Sequence, residues 1–303
     1  MRGVVAAGHP LTAEAGAGVL REGGNAVDAA IGAVLASFAV ESPLTGLGAG
    51  GYMIVHRGGE TVLIDFFVAA PGLDRVERRA ELAAVPVHFD AETVQTFYVG
   101  PASCGVPGTP AGLVRALDLF GSMPLTALVG PAVRLAREGA PVNPEQAYIL
   151  EILAPIHDRL AGTRELYAPE GRRLREGERF FFVELAEALE RFGAEGAEPF
   201  YRGEVGVALS DFVVEHGGTL GRGDLDAYAA IERCPISAPF RGAEVLTNPP
   251  PSSGGILIAY SLGLLERLGE SSGPEQLVAA MGAANGLRDL EFAEALYEEG
   301  MES

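Results

Sequence analysis

The sequence contains no lysine and only two cysteines, and its charge is strongly unbalanced. Its 22 basic residues are all arginines, and 41 acidic residues outnumber them to give a formal charge of −19. Because nucleic acids and anionic membranes bind basic patches, neither is expected as a partner. Cys104 and Cys234 form no CxxC or metal-ligand pattern. A secreted, disulfide-bonded framework is therefore not expected.

Short motifs of metal and serine hydrolases are also missing. The histidines are scattered without HExxH spacing, and no GxSxG nucleophile elbow occurs. We therefore expect no metal and no cofactor. No basic segment followed by an apolar run opens the sequence, so we predict no signal peptide and a cytoplasmic location. No uninterrupted apolar run is long enough to predict a membrane span.

A glycine-rich loop followed by two apolar runs organises the first part of the chain. The runs Tyr52–His56 and Thr61–Phe67 flank Gly58-Gly59, which predicts a β-hairpin. The loop glycines Gly46, Gly48 and Gly51 have the spacing of a dinucleotide-binding fingerprint, which requires a strand before it and a helix after it. A predicted helix precedes this loop and a hairpin follows it, so a close-packed turn is the favoured interpretation.

Other local patterns predict the following elements. The apolar segment Ala26–Val40 is predicted to be a buried helix with Asn25 as its N-cap. Thr12 is predicted to cap the preceding helix, Val4–Ala7 to be a short strand, and Leu73–Leu82 to be a charged surface helix.

The proline-rich loop 248–255, NPPPSSGG, precedes a predicted helix that starts at Ile256. Backbone N–H groups of Gly254 and Gly255 can bind an anion at such a helix start. Ser252, Ser253, Gly254 and Gly255 are therefore candidate substrate-binding residues. The alternative is a loop that only turns the chain.

Six segments, taken in order, resemble the large subunit of the γ-glutamyltransferase (γ-glutamyltranspeptidase) family. They are HPLTAEAGAGVLREGGNAVDAAIGA, ESPLTGLGAGGYMIVH, GVPGTPAGL, FYRGEVG, GDLDAY and NPPPSSGG. The resemblance implies an α+β fold, the αββα sandwich of N-terminal-nucleophile hydrolases, completed by a second, small-subunit chain. It also implies that residues 1–303 form a single large-subunit domain.

The resemblance further implies a precursor that cleaves itself, so that the N-terminal threonine of the second chain becomes the nucleophile of an acyl-transfer reaction. Family members mark the cleavage site with a Thr-Thr-His type sequence, and this chain has no Thr-Thr pair. The nucleophile and most oxyanion-hole donors are therefore expected on the small subunit, with no catalytic residue in this chain. The expected substrate is a small-molecule acyl amide of the glutathione type.

One position departs from the family pattern. Family members carry an arginine in a segment like Leu-Asp-Phe-Arg-Glu, where it holds the substrate α-carboxylate, but this sequence has Phe67 there, after Phe66. A phenyl ring cannot grip a carboxylate as a guanidinium does. We expect Phe66 and Phe67 to line a more apolar acyl pocket, unless Phe67 is a core residue. Arg57 or Arg75 remains a possible substitute for the missing arginine.

This departure favours an acyl amide other than γ-glutamyl, as in the glutaryl-cephalosporin acylase or oxamate amidohydrolase relatives. A non-catalytic scaffold subunit is the alternative from a different functional class.

Overall fold

The computed structural model describes residues 3–269 and 273–298, which form helices and short antiparallel strands. The helices are α1 (Pro10–Arg21), α2 (Ala26–Val40), α3 (Thr109–Phe120), α4 (Leu125–Leu128), α5 (Gly130–Glu138), α6 (Pro144–Ile152), α7 (Ala154–His157), α8 (Ala161–Tyr167), α9 (Val183–Glu195), α10 (Glu198–Tyr201), α11 (Glu204–Glu215), α12 (Arg222–Ala227), α13 (Ser253–Arg267), α14 (Pro274–Gly286) and α15 (Leu290–Ala295). The strands are β1 (Gly51–Arg57), β2 (Glu60–Phe66), β3 (Ala83–His88), β4 (Val94–Val99), β5 (Ala140–Pro141), β6 (Arg179–Phe180), β7 (Ile231–Arg233), β8 (Ile236–Phe240) and β9 (Ala243–Thr247). The predicted α+β class is confirmed.

The chain divides into two compact units by its internal contacts. The first comprises the described residues of Met1–Gly51 together with Phe66–Ala230. The second comprises Tyr52–Asp65 and the described residues of Ile231–Ser303. The expectation that residues 1–303 form a single large-subunit domain stays a prediction.

Helix α2 lies in the core of the first unit, where it packs against α1, α3, α5 and α9. It is apolar around its whole circumference, and a helix of this kind is stable only when it is covered on all sides. The side chain of Asn25 accepts hydrogen bonds from the backbone N–H groups of Val27 and Asp28, at 2.8 and 3.1 Å. Both the buried helix and its predicted N-cap are confirmed.

The start of α1 differs from its prediction. His9 is the N-cap, since its Nδ1 accepts the backbone N–H of Leu11 at 3.1 Å, and Pro10 occupies the first helical position. Proline suits that position because its missing N–H would have no helical partner there. Thr12 lies inside the helix and its hydroxyl donates to Glu41 Oε2 at 2.7 Å. The Thr12 cap was therefore a wrong prediction.

Two further local predictions were wrong. Val4–Ala7 is not a strand, and Leu73–Leu82 is not a helix. Gly72, immediately before the second segment, has a φ of +148°, and Arg75 within the segment has a φ of +52°, outside the right-handed helical region. The backbone N–H groups of Gly72 and Leu73 donate to Asp224 Oδ1 at 2.7 and 2.8 Å. These bonds join the start of the segment to Asp224 in α12, 152 and 151 residues farther along the chain, and hold it in a turn that does not continue as a helix.

The second unit contains a three-stranded sheet in the order β1-β2-β7 and a β8-β9 hairpin. Gly58 and Gly59 both have positive φ, at +64° and +88°, as a tight two-residue hairpin turn requires. The predicted β1-β2 hairpin is thus confirmed. Strand β7 pairs antiparallel with β2, with Leu63 opposite Arg233. Helix α13 packs against β8, β9 and α14.

Candidate functional site

The two candidate phenylalanines, Phe66 at the end of β2 and Phe67 immediately after it, lie in different environments. Phe66 is 7% exposed and Phe67 is 52% exposed, as expected where successive side chains on a strand point to opposite faces. The ring of Phe66 lies against Gly112 of α3, where an added Cβ would overlap it. Phe66 is therefore a core residue. Phe67 is not buried by this chain, and both its role in lining an acyl pocket and the alternative that it is a core residue stay predictions.

The backbone around Phe67 is held from several directions within the first unit. Tyr228 donates its hydroxyl to the carbonyl of Phe67 at 2.7 Å. Gly50, in the glycine-rich loop, approaches so closely that an added Cβ would lie 2.6 Å from the amide nitrogen of Val68. The backbones of Ala69 and Val106 exchange two hydrogen bonds, at 2.8 and 3.2 Å. Phe67 therefore presents a half-exposed side chain from a fixed backbone.

Two stacked tyrosines connect this strand end to the helices around it. The rings of Tyr201 and Tyr228 are 5.6 Å apart and nearly parallel. Tyr201 donates its hydroxyl to the carbonyl of Pro107 at 2.8 Å and accepts the N–H of Ala111 at 3.3 Å. Burial raises the pKa of Tyr201, so its hydroxyl stays protonated as a donor. The sequence segments GVPGTPAGL, FYRGEVG and GDLDAY thus meet around residues 66–69.

The candidate residues of the proline-rich loop lie in the second unit. Ser252 is the N-cap position of α13, which begins at Ser253, three residues earlier than predicted. Gly255 is buried against the carbonyl of Asn248, where an added Cβ would overlap that oxygen. Ser252 and Ser253 are partly exposed, and Gly254 is exposed. The predicted helix start after the loop is confirmed, whereas anion binding by Gly254 and Gly255 stays a prediction.

The hydroxyl of Ser252 is hydrogen-bonded to Tyr52 on β1. Burial and the nearby charge of Asp65 raise the pKa of Tyr52, and the hydrogen bond with Ser252 offsets this only in part. Tyr52 is therefore a neutral phenol at physiological pH. The predicted residues thus come together as two sets, Phe66 with Phe67 in the first unit and Ser252 through Gly255 in the second.

An ion pair that the sequence does not reveal lies in the second unit. Arg233 Nε donates to Asp65 Oδ2 at 2.7 Å, and 9% of the Asp65 side chain is exposed. The two residues are 168 positions apart, so no local pattern links them. The one available signal was that an acidic residue in a buried strand needs a partner. Arg57 is the last residue of β1, Arg75 lies in the non-helical segment after Gly72, and both are exposed. That either of them replaces the family arginine stays a prediction.

Metal-ligand clusters and membrane-spanning helices are the two remaining kinds of functional feature that residues 3–269 and 273–298 could carry. No group of three or more His, Cys, Asp or Glu side chains there is arranged to hold a metal ion. No single described helix is long and apolar enough to cross a bilayer, although the bent pair Thr109–Phe120 and Leu125–Glu138 passes on length and composition.

The fold is shared with N-terminal-nucleophile hydrolases. It matches the crystal structure of Helicobacter pylori γ-glutamyltranspeptidase with a TM-score of 0.83 and 28% identity, covering 98% of this chain and 86% of that one. The predicted fold class is thereby confirmed.

The sequence profile of the γ-glutamyltranspeptidase family matches residues 12–297, and the chain belongs to that family. It is 38% identical to the glutathione hydrolase proenzyme of Escherichia coli (strain K12) over 272 residues, which cover 88% of this chain and 45% of the proenzyme. It is 36% identical over 270 residues to the acylase ACY 1 proenzyme of Pseudomonas sp. (strain V22), covering 88% of this chain and 48% of that protein. The chain thus spans about half the length of these relatives.

Proposed function

We propose that this chain is the large-subunit part of a two-chain enzyme that hydrolyses or transfers the acyl group of an amide. The observation that carries the proposal is family membership over residues 12–297. The relatives compared above are named as proenzymes, of which this chain spans about half. The remainder of the same precursor is the source of the second, small-subunit chain.

In the proposed reaction the precursor cleaves itself, and the new N-terminal threonine of the small subunit attacks the amide carbonyl. Its own α-amino group accepts the hydroxyl proton, since a hydroxyl is a weak nucleophile until a base takes that proton. The C–N bond breaks, the amine leaves with a proton, and the acyl group remains as an ester on the threonine. Water or a second amine then attacks the ester and regenerates the hydroxyl. This chain contributes binding surface to these steps.

The side chain at position 67 indicates which kind of acyl group the enzyme accepts. The half-exposed phenyl ring of Phe67 stands on a fixed backbone where the family pattern has a carboxylate-binding arginine. A phenyl ring offers no hydrogen-bond donor, and a carboxylate placed against it would lose hydration without compensation. The proposed substrate is therefore an acyl amide whose acyl group meets position 67 with an apolar part. Glutaryl-type and oxamate-type amides remain the alternatives to γ-glutamyl amides such as glutathione, but each carries a carboxylate and fits this surface only with that carboxylate directed away from position 67.

The surface of the second unit has features that favour binding of a partner chain. Helices α13 and α14 pack together but leave apolar side chains exposed, namely Ile258, Tyr260, Leu277, Val278 and Met281. Strand β1 is an outer strand of its sheet, paired with β2 among the described strands. Exposed apolar patches and open strand edges of this kind mark surfaces that another chain covers. The proposed occupant is the small subunit from the same precursor.

The test is to express the whole gene and to determine the intact mass and N-terminal sequence of every chain that co-purifies. The expected result is two chains, the second beginning with threonine. The matched control replaces that threonine with alanine, which should leave the precursor uncleaved. A single uncleaved chain from the unmodified gene would overturn the two-chain mechanism and leave a non-catalytic scaffold as the better interpretation.

The substrate is tested on the cleaved enzyme with three anilides of equal acyl length: γ-glutamyl, glutaryl and pentanoyl. The proposal expects γ-glutamyl anilide to be a poorer substrate than pentanoyl anilide, whose acyl chain is uncharged. Glutaryl anilide keeps the terminal carboxylate but lacks the amino group, so it shows which of the two groups causes the difference. A clear preference for γ-glutamyl anilide would refute the role given to Phe67 while leaving the two-chain mechanism intact.

A further inference from the structure

The second unit contains a cavity of about 880 Å³ that has no assigned role. Its walls are formed by residues 232–237, 249–251 and 296–298. Much of the wall is apolar, from the proline-rich loop, Ile236 and Leu296. Among these lining residues, Arg233 is the one cation. This cavity is called the Arg233 cleft below.

The guanidinium of Arg233 is oriented by Asp65. Its Nε–H donates to the nearly buried carboxylate of Asp65, and 27% of the Arg233 side chain is exposed. A guanidinium has five N–H donors, and the four on the two terminal amino groups form an end-on fork. Within the described residues, Asp65 is the ion-pair partner of Arg233, and the hydrogen bond between them comes from Nε and not from the terminal groups. The fork is thus held in place and available to a ligand in the cleft.

An end-on guanidinium fork matches the two oxygens of a carboxylate and binds it through two parallel, charge-assisted hydrogen bonds. Because Asp65 already restrains the side chain, little further rotamer freedom is lost on binding. The apolar wall suits the hydrocarbon body of a small organic acid. We propose that Arg233 binds the carboxylate of a small organic acid in this cleft, and that Asp65 is its positioning residue.

Remote negative charge has little effect on this interaction, whereas the two acidic residues of the cleft oppose it. Glu232 and Glu298 also line the cleft, and the formal charge of the protein is −19. Exposed charges farther away than about 8 Å are largely screened at physiological ionic strength, whereas a contact ion pair is screened much less. The site is independent of the proposed amide substrate, because it rests on the geometry of the second unit alone.

Cys234 provides a direct test because its exposed thiol lines the same cleft. The full gene product would be treated with iodoacetate, which carries a carboxylate, or with iodoacetamide, its neutral analogue of similar size. Peptide mass spectrometry then gives the ratio of the two alkylation rates at Cys234. Cys104, in the first unit, serves as an internal reference, although burial raises the pKa of its thiol and slows both reagents there.

The expected iodoacetate-to-iodoacetamide ratio is about threefold to tenfold higher at Cys234 than at Cys104, the range for a partly exposed, charge-assisted pair. Glutarate should lower this ratio at Cys234, and its diamide should not. Equal ratios at the two cysteines would overturn the proposal. Failure of both reagents to modify Cys234 would also overturn it, because the cleft would then be closed in the assembled protein.

Two variants separate binding from folding. Arg233→Lys keeps a positive charge opposite Asp65 but removes the fork, and the double variant Asp65→Asn with Arg233→Met removes both charges. Each should reduce the ratio at Cys234 to that at Cys104. Arg267→Met, at an exposed site on α13 outside the cleft, removes a positive charge elsewhere in the protein and should leave the ratio unchanged.

The positioning role of Asp65 is tested with two single substitutions. Asp65→Asn should lower the ratio at Cys234, and Asp65→Glu, which retains a carboxylate, should restore part of it. A ratio that does not change in Arg233→Lys, in the double variant or in Asp65→Asn would refute the proposed site.

Discussion

The carboxylate of Asp28 accepts hydrogen bonds from both the backbone amide and the hydroxyl of Ser122, at 2.9 and 2.6 Å. Asp28 is fully buried near the start of α2, and its oxygens also accept the N–H groups of Met123 and Asn25. Burial alone would raise the pKa of Asp28, but these hydrogen bonds hold it below its usual value. One carboxylate therefore fastens the core helix to the loop that follows α3.

Replacing Asp28 with Asn should destabilise the protein. The NH2 group of the asparagine amide would face the N–H and O–H groups that now donate to Asp28, so buried donors would lose their acceptor. An unsatisfied buried group costs about 1–3 kcal/mol of the free energy of unfolding. Urea denaturation of the full gene product at pH 7 measures the loss. Asp118→Asn, at an exposed position on α3, is the control and should have little effect.

The stability difference between the unmodified protein and Asp28→Asn should depend on pH. Because the folded-state pKa of Asp28 is depressed, its contribution is fully present above the unfolded pKa of about 3.9 and is lost as the pH falls through the folded pKa. The difference between the unmodified protein and Asp28→Asn should therefore narrow below about pH 4. A difference that is constant with pH would contradict this assignment.

Gly112→Ala should be more damaging than its size suggests. The added Cβ would overlap the ring of Phe66, and overpacking of a core typically costs about 1–3 kcal/mol. Gly18→Ala is the matched control on α1, because an added Cβ meets no atom within 4 Å there. That substitution should stabilise the helix by about 0.5–1 kcal/mol. Denaturation midpoints of the two variants should move in opposite directions; a shift in the same direction would show that β2 and α3 do not pack this closely.

Phe67→Arg should increase the preference of the cleaved enzyme for a γ-glutamyl amide. The new guanidinium can pair bidentately with the α-carboxylate, and we expect kcat/KM for γ-glutamyl anilide to rise by about tenfold or more relative to pentanoyl anilide. Phe67→Leu is the control, which changes the shape of position 67 but adds no charge. An equal change of preference in both variants would mean that shape, and not carboxylate binding, controls selectivity at this position.

His9→Asn should reduce the loss of folding stability that occurs as the pH becomes acidic. Burial lowers the pKa of His9 more than Glu41 and Glu145 raise it. Between the folded pKa and the unfolded value of about 6.5, the unfolded chain binds more protons, so stability falls as the pH drops below about 6.5. Asparagine keeps an N-cap acceptor but does not titrate. Lowering the pH from about 7 to about 5.5 should therefore reduce the urea midpoint more in the unmodified protein than in the variant; equal losses would exclude His9 as the source.

Elements with strong local signals could be predicted from the sequence. The glycine pair at positions 58 and 59 requires positive φ and so identifies the hairpin. Asn25 and the continuous apolar run after it define α2 because capping and burial act within a few residues. The family resemblance then supplied the fold class, which local patterns alone do not determine.

Long-range contacts account for what could not be predicted. The charge pattern of residues 73–82 resembles a surface helix, but hydrogen bonds with Asp224 and Gly217 hold this segment in a non-helical conformation. Strand alternation predicts that Phe66 and Phe67 point to opposite faces but does not reveal which of them faces the core. Phe66 does, because its ring packs against Gly112 of α3. Arg233 and Asp65 meet only because β7 pairs with β2.

The fixed backbone around Phe67 has an evolutionary consequence. Gly50, Tyr228 and the buried ring of Phe66 fasten the strand end without using the side chain at position 67. A single codon change at that position can therefore alter the chemistry of the surface without disturbing the scaffold beneath it. Members of one lineage can diverge in what they recognise while they inherit the same architecture.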